Sequence, residues 1–169
     1  MRFGWVKAAA LAGVIALAAC QGGDAVDPEK ASKEAAAFME ANAKAEGVVS
    51  LPSGLQYKIV KSGPPGGDSP DGNDLVRVDY EGALVDGTVF DSSYEKGRPA
   101  VFTPESVIAG WTEGLQRMKV GDEWFLYVPP ELGYGEDGTG PVPPNAVLVF
   151  RVQLLDVARA AGAGEPERG

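Results

Sequence analysis

The chain has 169 residues, a formal net charge of −9, one cysteine (Cys20) and no histidine. That length holds one domain of ordinary size, or a smaller domain with appendages. Without histidine there is no Ser-His-Asp or Cys-His dyad, no imidazole base, and no usual zinc or haem ligand set. With 15 basic against 24 acidic residues there is no cationic surplus for a phosphate backbone, so nucleic acid is not an expected partner.

Residues 1–7 carry Arg2 and Lys7 and no acid, and residues 8–19 form an uninterrupted apolar run. This is the layout of a secretory signal peptide. The run is shorter than the about 20 apolar residues that span a bilayer as a helix. It ends Leu17-Ala18-Ala19-Cys20, which resembles the lipobox of bacterial lipoproteins, whose cysteine thiol is diacylated. The other reading is ordinary cleavage after a small-residue site, with Cys20 incidental. On the lipoprotein reading residues 1–19 are removed, Cys20 is the lipid attachment, and two acyl chains hold an acidic chain that anionic lipid repels. Gln21 and Gly22, with no Asp directly after the cysteine, resemble outer-membrane sorting. The expected place is the cell envelope of a Gram-negative bacterium, anchored to the outer membrane and facing the periplasm.

Residues 20–27 read as a short tether. Asp27 is a helix N-cap with Pro28 at the first helical position, and an Ala/Glu/Lys-rich run to residue 45 predicts a helix within a stalk over residues 28–50. Its bulky apolar residues are Phe38 and Met39. It is either a spacer or dimerisation stub, or a linker helix that docks by Phe38 alone. From Leu51 the pattern turns to short β runs separated by turn residues. Residues 55–60 alternate apolar and polar, 62–74 (SGPPGGDSPDGND) make a loop, and 75–80 alternate again. Asp86-Gly87 stands where a hairpin turn belongs, before a strand at 88–90. Val101 and Phe102 make another short strand. A helix over 111–118 and strands over 123–128 and 147–157 follow, the last two separated by a Gly/Pro loop at 133–144. The tail, 158–169, is expected to be disordered. Five or so antiparallel strands and one short helix make a small α+β domain over residues 51–157, a twisted sheet around the helix.

The search for reactive groups is short. Gly63-Pro64-Pro65-Gly66-Gly67 lacks the Lys-Ser/Thr and helix of a P-loop. Asp68, Asp71 and Asp74 lack EF-hand spacing and its closing glutamate. Ser92 and Ser93 have no candidate base. No metal is expected. What remains is aromatic: Tyr80, Phe90, Phe102, Trp111, Tyr134 and Phe150 come from almost every predicted element. They are either a plain core or the lining of a pocket. Trp111 and Tyr134 carry polar atoms that need partners if buried, and Asp91 follows Phe90 directly.

Three ordered blocks then carry a resemblance. The first is residues 76–82 (VRVDYEG) with 86–93 (DGTVFDSS). The second is 107–111 (VIAGW), Gly114-Leu115 and 118–121 (MKVG). The third is Tyr134-Gly135, 142–146 (VPPNA) and 148–150 (LVF). Together they resemble FKBP-type peptidyl-prolyl isomerases, and residues 51–57 (LPSGLQY) are similar to envelope members related to macrophage infectivity potentiators. The resemblance implies a five- to six-stranded antiparallel half-barrel wrapped around one short helix, preceded by an N-terminal helix. It implies Tyr80, Phe90, Asp91 and Tyr134 as catalytic, and Val107, Ile108, Trp111, Val142 and Phe150 as substrate-binding. Trp111 would floor the pocket under a prolyl ring, the Tyr134 hydroxyl and the Ile108 N–H would each meet a substrate carbonyl, and Val142 would sit on the flap. No cofactor is implied. The implied partners are proline-containing polypeptide clients and a macrolide inhibitor.

Two features depart from the family pattern. Ala100 stands after Pro99 where many relatives have an aromatic, which opens one pocket wall. The helical dimerisation domain of the infectivity-potentiator relatives is reduced to the short helix, which favours a monomer. Rotating an Xaa-Pro bond meets a barrier of about 18–20 kcal/mol without making or breaking a covalent bond, so the missing histidine costs nothing. The alternative function is a non-catalytic chaperone or peptide-binding module using the same cleft.

Overall fold

The Asp27 side chain accepts hydrogen bonds from the N–H groups of Glu29 (3.0 Å) and Lys30 (3.4 Å), and Pro28 opens the first turn, so the expected cap starts helix α1 (Pro28–Asn42). The computed structural model describes residues 27–160. The signal segment 1–19, Cys20 with the tether to residue 26, and residues 161–169 of the expected tail lie outside the described residues.

Strands β1 (Val48–Ser50), β2 (Gln56–Lys61), β3 (Leu75–Leu84), β4 (Val89–Ser92) and β5 (Ala100–Phe102) follow α1. Helix α2 (Ala109–Leu115), strand β6 (Glu123–Val128) and strand β7 (Leu148–Ala158) complete the set. All strands join one antiparallel sheet in the order β1-β2-β6-β7-β3-β4, with β5 on β3 beside β4. Seven strands replace the expected five to six. The addition is β1, which the sequence reading placed inside the helical stalk. Three residues after Gly47 are too few to show a two-residue period, and it is pairing with β2 that makes them a strand.

β3 buries Val76, Val78, Tyr80 and Gly82 on one face, and β7 buries Leu148, Phe150, Val152 and Leu154 opposite them. Register breaks between Arg77 and Val78, Gly82 and Ala83, and Ile59 and Lys61 bend the sheet around α2. The helix sits close because it presents glycine: a Cβ on Gly110 would stand 2.7 Å from Val128 Cγ1, and one on Gly114 would stand 2.9 Å from Leu126 Cδ1. α2 starts two residues earlier and ends three earlier than expected. Asp122 explains the end, since its carboxylate takes the N–H groups of Lys119 (2.9 Å) and Gly63 (2.6 Å) and turns the chain towards β6.

α1 is not a free rod. Phe38 packs against Tyr127 with ring centroids 6.4 Å apart. Gln56, which is buried, donates to the Met39 carbonyl (2.8 Å) and accepts from Asn42 (2.9 Å), and Asn145 donates to the Pro28 carbonyl (3.2 Å). The helix therefore docks by more than Phe38. Among the described residues no helix is long and apolar enough to cross a membrane. The first residues assigned to the tail are ordered: Ala158 ends β7, while Arg159 and the Ala160 N–H both bond Asp74.

Candidate active site

One end of the half-barrel opens into a cleft of about 510 Å³. Its wall takes Tyr80 from β3, Phe90 and Asp91 from β4, and Phe150 from β7. Ala100 and Phe102 of β5 form another side, Ser106, Val107 and Ile108 the approach to α2, and Tyr134 the rim after β6. Trp111 lies at the centre in the first turn of α2, 4% exposed. Its indole meets Tyr80 and Phe150 edge-on, each at 5.1 Å with interplanar angles of 90° and 83°, and leans on Phe102 at 5.4 Å. Phe90 meets Phe150 edge-on at 5.6 Å. Edge-to-face pairs contribute about 0.5–1.5 kcal/mol each beyond burial, so the rings support one another's placement.

The polar groups occupy the rim. The Tyr80 hydroxyl donates to Asp91 Oδ2 at 2.6 Å, and Lys96 pairs with the same carboxylate. Burial pushes the Asp91 carboxyl up, but hydrogen bonds from Lys96 and Tyr80 outweigh it and leave it below the usual carboxylate range. Burial, then the bond to Asp91, raises the Tyr80 phenol. Among the described residues, neither the Tyr134 hydroxyl nor the Ile108 N–H makes a hydrogen bond, and Tyr134 is 38% exposed. Two donors thus stand open at the mouth of an apolar cleft. The Trp111 Nε1–H is buried and also without a partner, contrary to the expectation that burial would supply one.

Eight of the nine residues expected to act together line this cleft: Tyr80, Phe90, Asp91 and Tyr134, with Val107, Ile108, Trp111 and Phe150. Val142 does not. It is 3% exposed and belongs to the core, because Thr139 and Val142 exchange two backbone hydrogen bonds (2.9 and 2.8 Å) that curl the flap and turn the valine inward. Phe102 and Ser106 line the cleft but were not among the expected site residues. Phe102 was visible among the aromatics, yet the sequence did not show that β5 folds back onto β3. Ala100 lies in the cleft wall. A smaller groove of about 220 Å³ between α1 and residues 143–147 has no such set of open donors over an aromatic floor. Among the described residues no group of three or more Cys, Asp or Glu converges as a metal site.

A family model described as "FKBP-type peptidyl-prolyl cis-trans isomerase" matches residues 66–155, and one described as "Domain amino terminal to FKBP-type peptidyl-prolyl isomerase" matches residues 12–59. The chain belongs to the FKBP-type peptidyl-prolyl cis-trans isomerase family. It is 49% identical over 142 residues to the isomerase FkpA of Aeromonas hydrophila, covering 84% of this chain and 51% of that protein. It is 48% identical over 126 residues to the outer membrane protein MIP of Legionella longbeachae, covering 74% and 53%. The chain thus spans about half the length of these curated relatives. The crystal structure of Escherichia coli FkpA superposes with a TM-score of 0.75 at 43% identity, covering 79% of this chain and 62% of that one. The isomerase structure from Pseudomonas syringae gives 0.74 at 37% identity, covering 82% and 100%. The half-barrel, its central helix and the N-terminal helix are those of an FKBP-like fold.

Proposed function

We propose that this protein catalyses cis-trans isomerisation of Xaa-Pro bonds in envelope or secreted polypeptides and so assists their folding. The observation that carries this reading is the pairing of an apolar cleft, floored by Trp111, with two unengaged donors at its mouth. A prolyl ring would rest on the indole, while the Tyr134 hydroxyl and the Ile108 N–H would each take a carbonyl of the bent chain. The planar amide owes its stability to charge separation that water solvates. An aromatic-floored cleft withdraws that solvation, so the twisted amide is bound more tightly than either planar form. The family of isomerases to which the chain belongs supports the assignment.

The decisive measurement is two-dimensional exchange NMR on an Xaa-Pro peptide with the full chain. Micromolar protein should accelerate exchange, and no acceleration would refute the reading. A holdase role in the same cleft would instead leave client aggregation equally suppressed after Tyr134→Phe and Asp91→Ala.

Attachment to the outer membrane through acyl chains on Cys20 is part of the same proposal. Its support is the Leu17-Ala18-Ala19-Cys20 motif and a relative named an outer membrane protein. A monomer, and weakened macrolide binding where Ala100 opens the wall, complete it.

A further inference from the structure

Lys96 lies in the loop between β4 and β5, outside the set of residues that line the cleft, yet its ammonium is tied to two that do. It ion-pairs with Asp91 Oδ1 and donates to the Tyr80 hydroxyl oxygen at 3.2 Å, while that hydroxyl donates to Asp91 Oδ2 at 2.6 Å. The ammonium also stands 5.7 Å from the centroid of the Tyr80 ring. A phenol has one proton to give and lone pairs to accept with. Here the proton goes to Asp91 and a lone pair to Lys96, so the three groups close a ring with each carboxylate oxygen engaged.

The loop is built to deliver this side chain. The Lys96 N–H bonds the Ser92 carbonyl (3.4 Å), that of Gly97 bonds Tyr94 (3.1 Å), and that of Arg98 bonds Ser93 (3.3 Å), with Gly97 at φ 67° completing the turn. Ser93 in turn accepts the Tyr80 N–H (2.9 Å) and donates to Asp79 (2.9 Å), which ties the turn to β3. Among the residues lining the cleft the titratable ones are Tyr80, Asp91 and Tyr134, and Asp91 is the one carboxylate. α2, β5 and β7 face it with Trp111, Phe102 and Phe150, which carry no charge. Left free, the carboxylate would draw water into the cleft and restore the solvation that keeps an amide planar.

We propose that Lys96 is a positioning residue for the isomerisation, holding Asp91 and the Tyr80 hydroxyl in one arrangement so that the cleft wall meets the twisting amide as a compensated pair. This rests on the isomerase reading above. Because Lys96 does not line the cleft, its loss lowers kcat and leaves KM in place, and arginine, which keeps both charge and donors, substitutes for it.

The test compares the full chain with Lys96→Met and Lys96→Arg by exchange NMR. The expected result is a kcat lower by about fivefold to tenfold in Lys96→Met, the size of one ordinary hydrogen bond lost from a half-exposed pair, with KM unchanged and Lys96→Arg near wild type. Carbon-13 NMR of the Asp91 carboxyl, read on the same proteins whether or not peptide is turned over, should show its titration midpoint raised by Lys96→Met and kept by Lys96→Arg. An inactive wild type refutes the isomerase reading. An active wild type matched by Lys96→Met, a Lys96→Arg that fails to restore kcat, or an unmoved Asp91 midpoint refutes the role of Lys96. A thermal midpoint close to wild type shows that a lost kcat is not lost fold.

Discussion

A Cβ on residue 82 would stand 2.6 Å from Phe150 Cε1 and 2.9 Å from Phe90 Cζ. Gly82 is therefore the space in which the two rings of the cleft wall meet edge-on. Gly82→Ala forces one of them off its rotamer, at a cost of about 1–3 kcal/mol. Thermal unfolding should show that loss, and exchange NMR a matching fall in kcat/KM. The converse case is Tyr134, whose hydroxyl bonds nothing in the protein. Tyr134→Phe should leave the unfolding midpoint in place while kcat/KM falls up to about tenfold, the value of one hydrogen bond of about 0.5–1.5 kcal/mol. Asp91 sets the acid limit. Its folded value lies below the ordinary one, so the contribution of its pair with Lys96 and Tyr80 is present above the unfolded pKa and is lost as pH falls through the folded one. With no histidine to titrate between, kcat/KM measured by exchange NMR should be flat from about pH 5 to pH 8 and fall only below the unperturbed Asp value of about 3.9.

Among the elements, the end of β7 is held by a latch. Asp74, fully buried, accepts the N–H groups of Asp71 (2.8 Å) and Ala160 (2.9 Å) and pairs with Arg159 (2.8 Å). Those backbone bonds, more than the arginine, hold its carboxyl below the usual range. Its stabilisation is accordingly present at neutral pH and disappears as acid protonates it. Asp74→Asn should be less stable than wild type at pH 7 in urea, with the difference shrinking as pH falls through the folded pKa; a difference that is the same at all pH values would contradict this. α1 is held more loosely, by one tilted aromatic contact and three polar bonds, and its ion pairs Lys30–Glu34, Lys33–Glu29 and Lys44–Glu40 are exposed and contribute little. Phe38→Ala should speed amide hydrogen exchange across Pro28–Asn42 while exchange in β3 and β7 stays as in wild type.

At the scale of the molecule, the proposed isomerisation is conformational and asks nothing of histidine, and the proposed anchor is a lipid on Cys20 rather than a cationic surface. Cys20→Ser should abolish incorporation of radiolabelled fatty acid and move the protein to the soluble fraction, and a labelled Cys20→Ser protein would exclude that anchor. Much of the cleft was legible through the resemblance of the sequence blocks. Tyr80, Phe90, Asp91, Trp111 and Phe150 sit in the short ordered blocks that carry the family resemblance, and it is that resemblance, not residue type or alternation, that separates a cleft lining from a plain core. Less could be read where a contact joins distant parts of the chain. Gln56 meets α1 across 14 and 17 residues, and Arg159 meets Asp74 across 85. The family resemblance placed Val142 on the flap, and only the Thr139–Val142 bridge turns it into the core. Lys96 carried no signal, being one lysine among turn residues.

The sequence by itself determined the order of most elements and the aromatic set, since periodicity, turn residues and composition are local properties. Tertiary structure alone decided that α1 docks, that β1 is a strand, that Val142 is core and that Lys96 compensates Asp91. Each of these depends on a partner that the fold brings within reach, and its free energy belongs to the contact rather than to either residue.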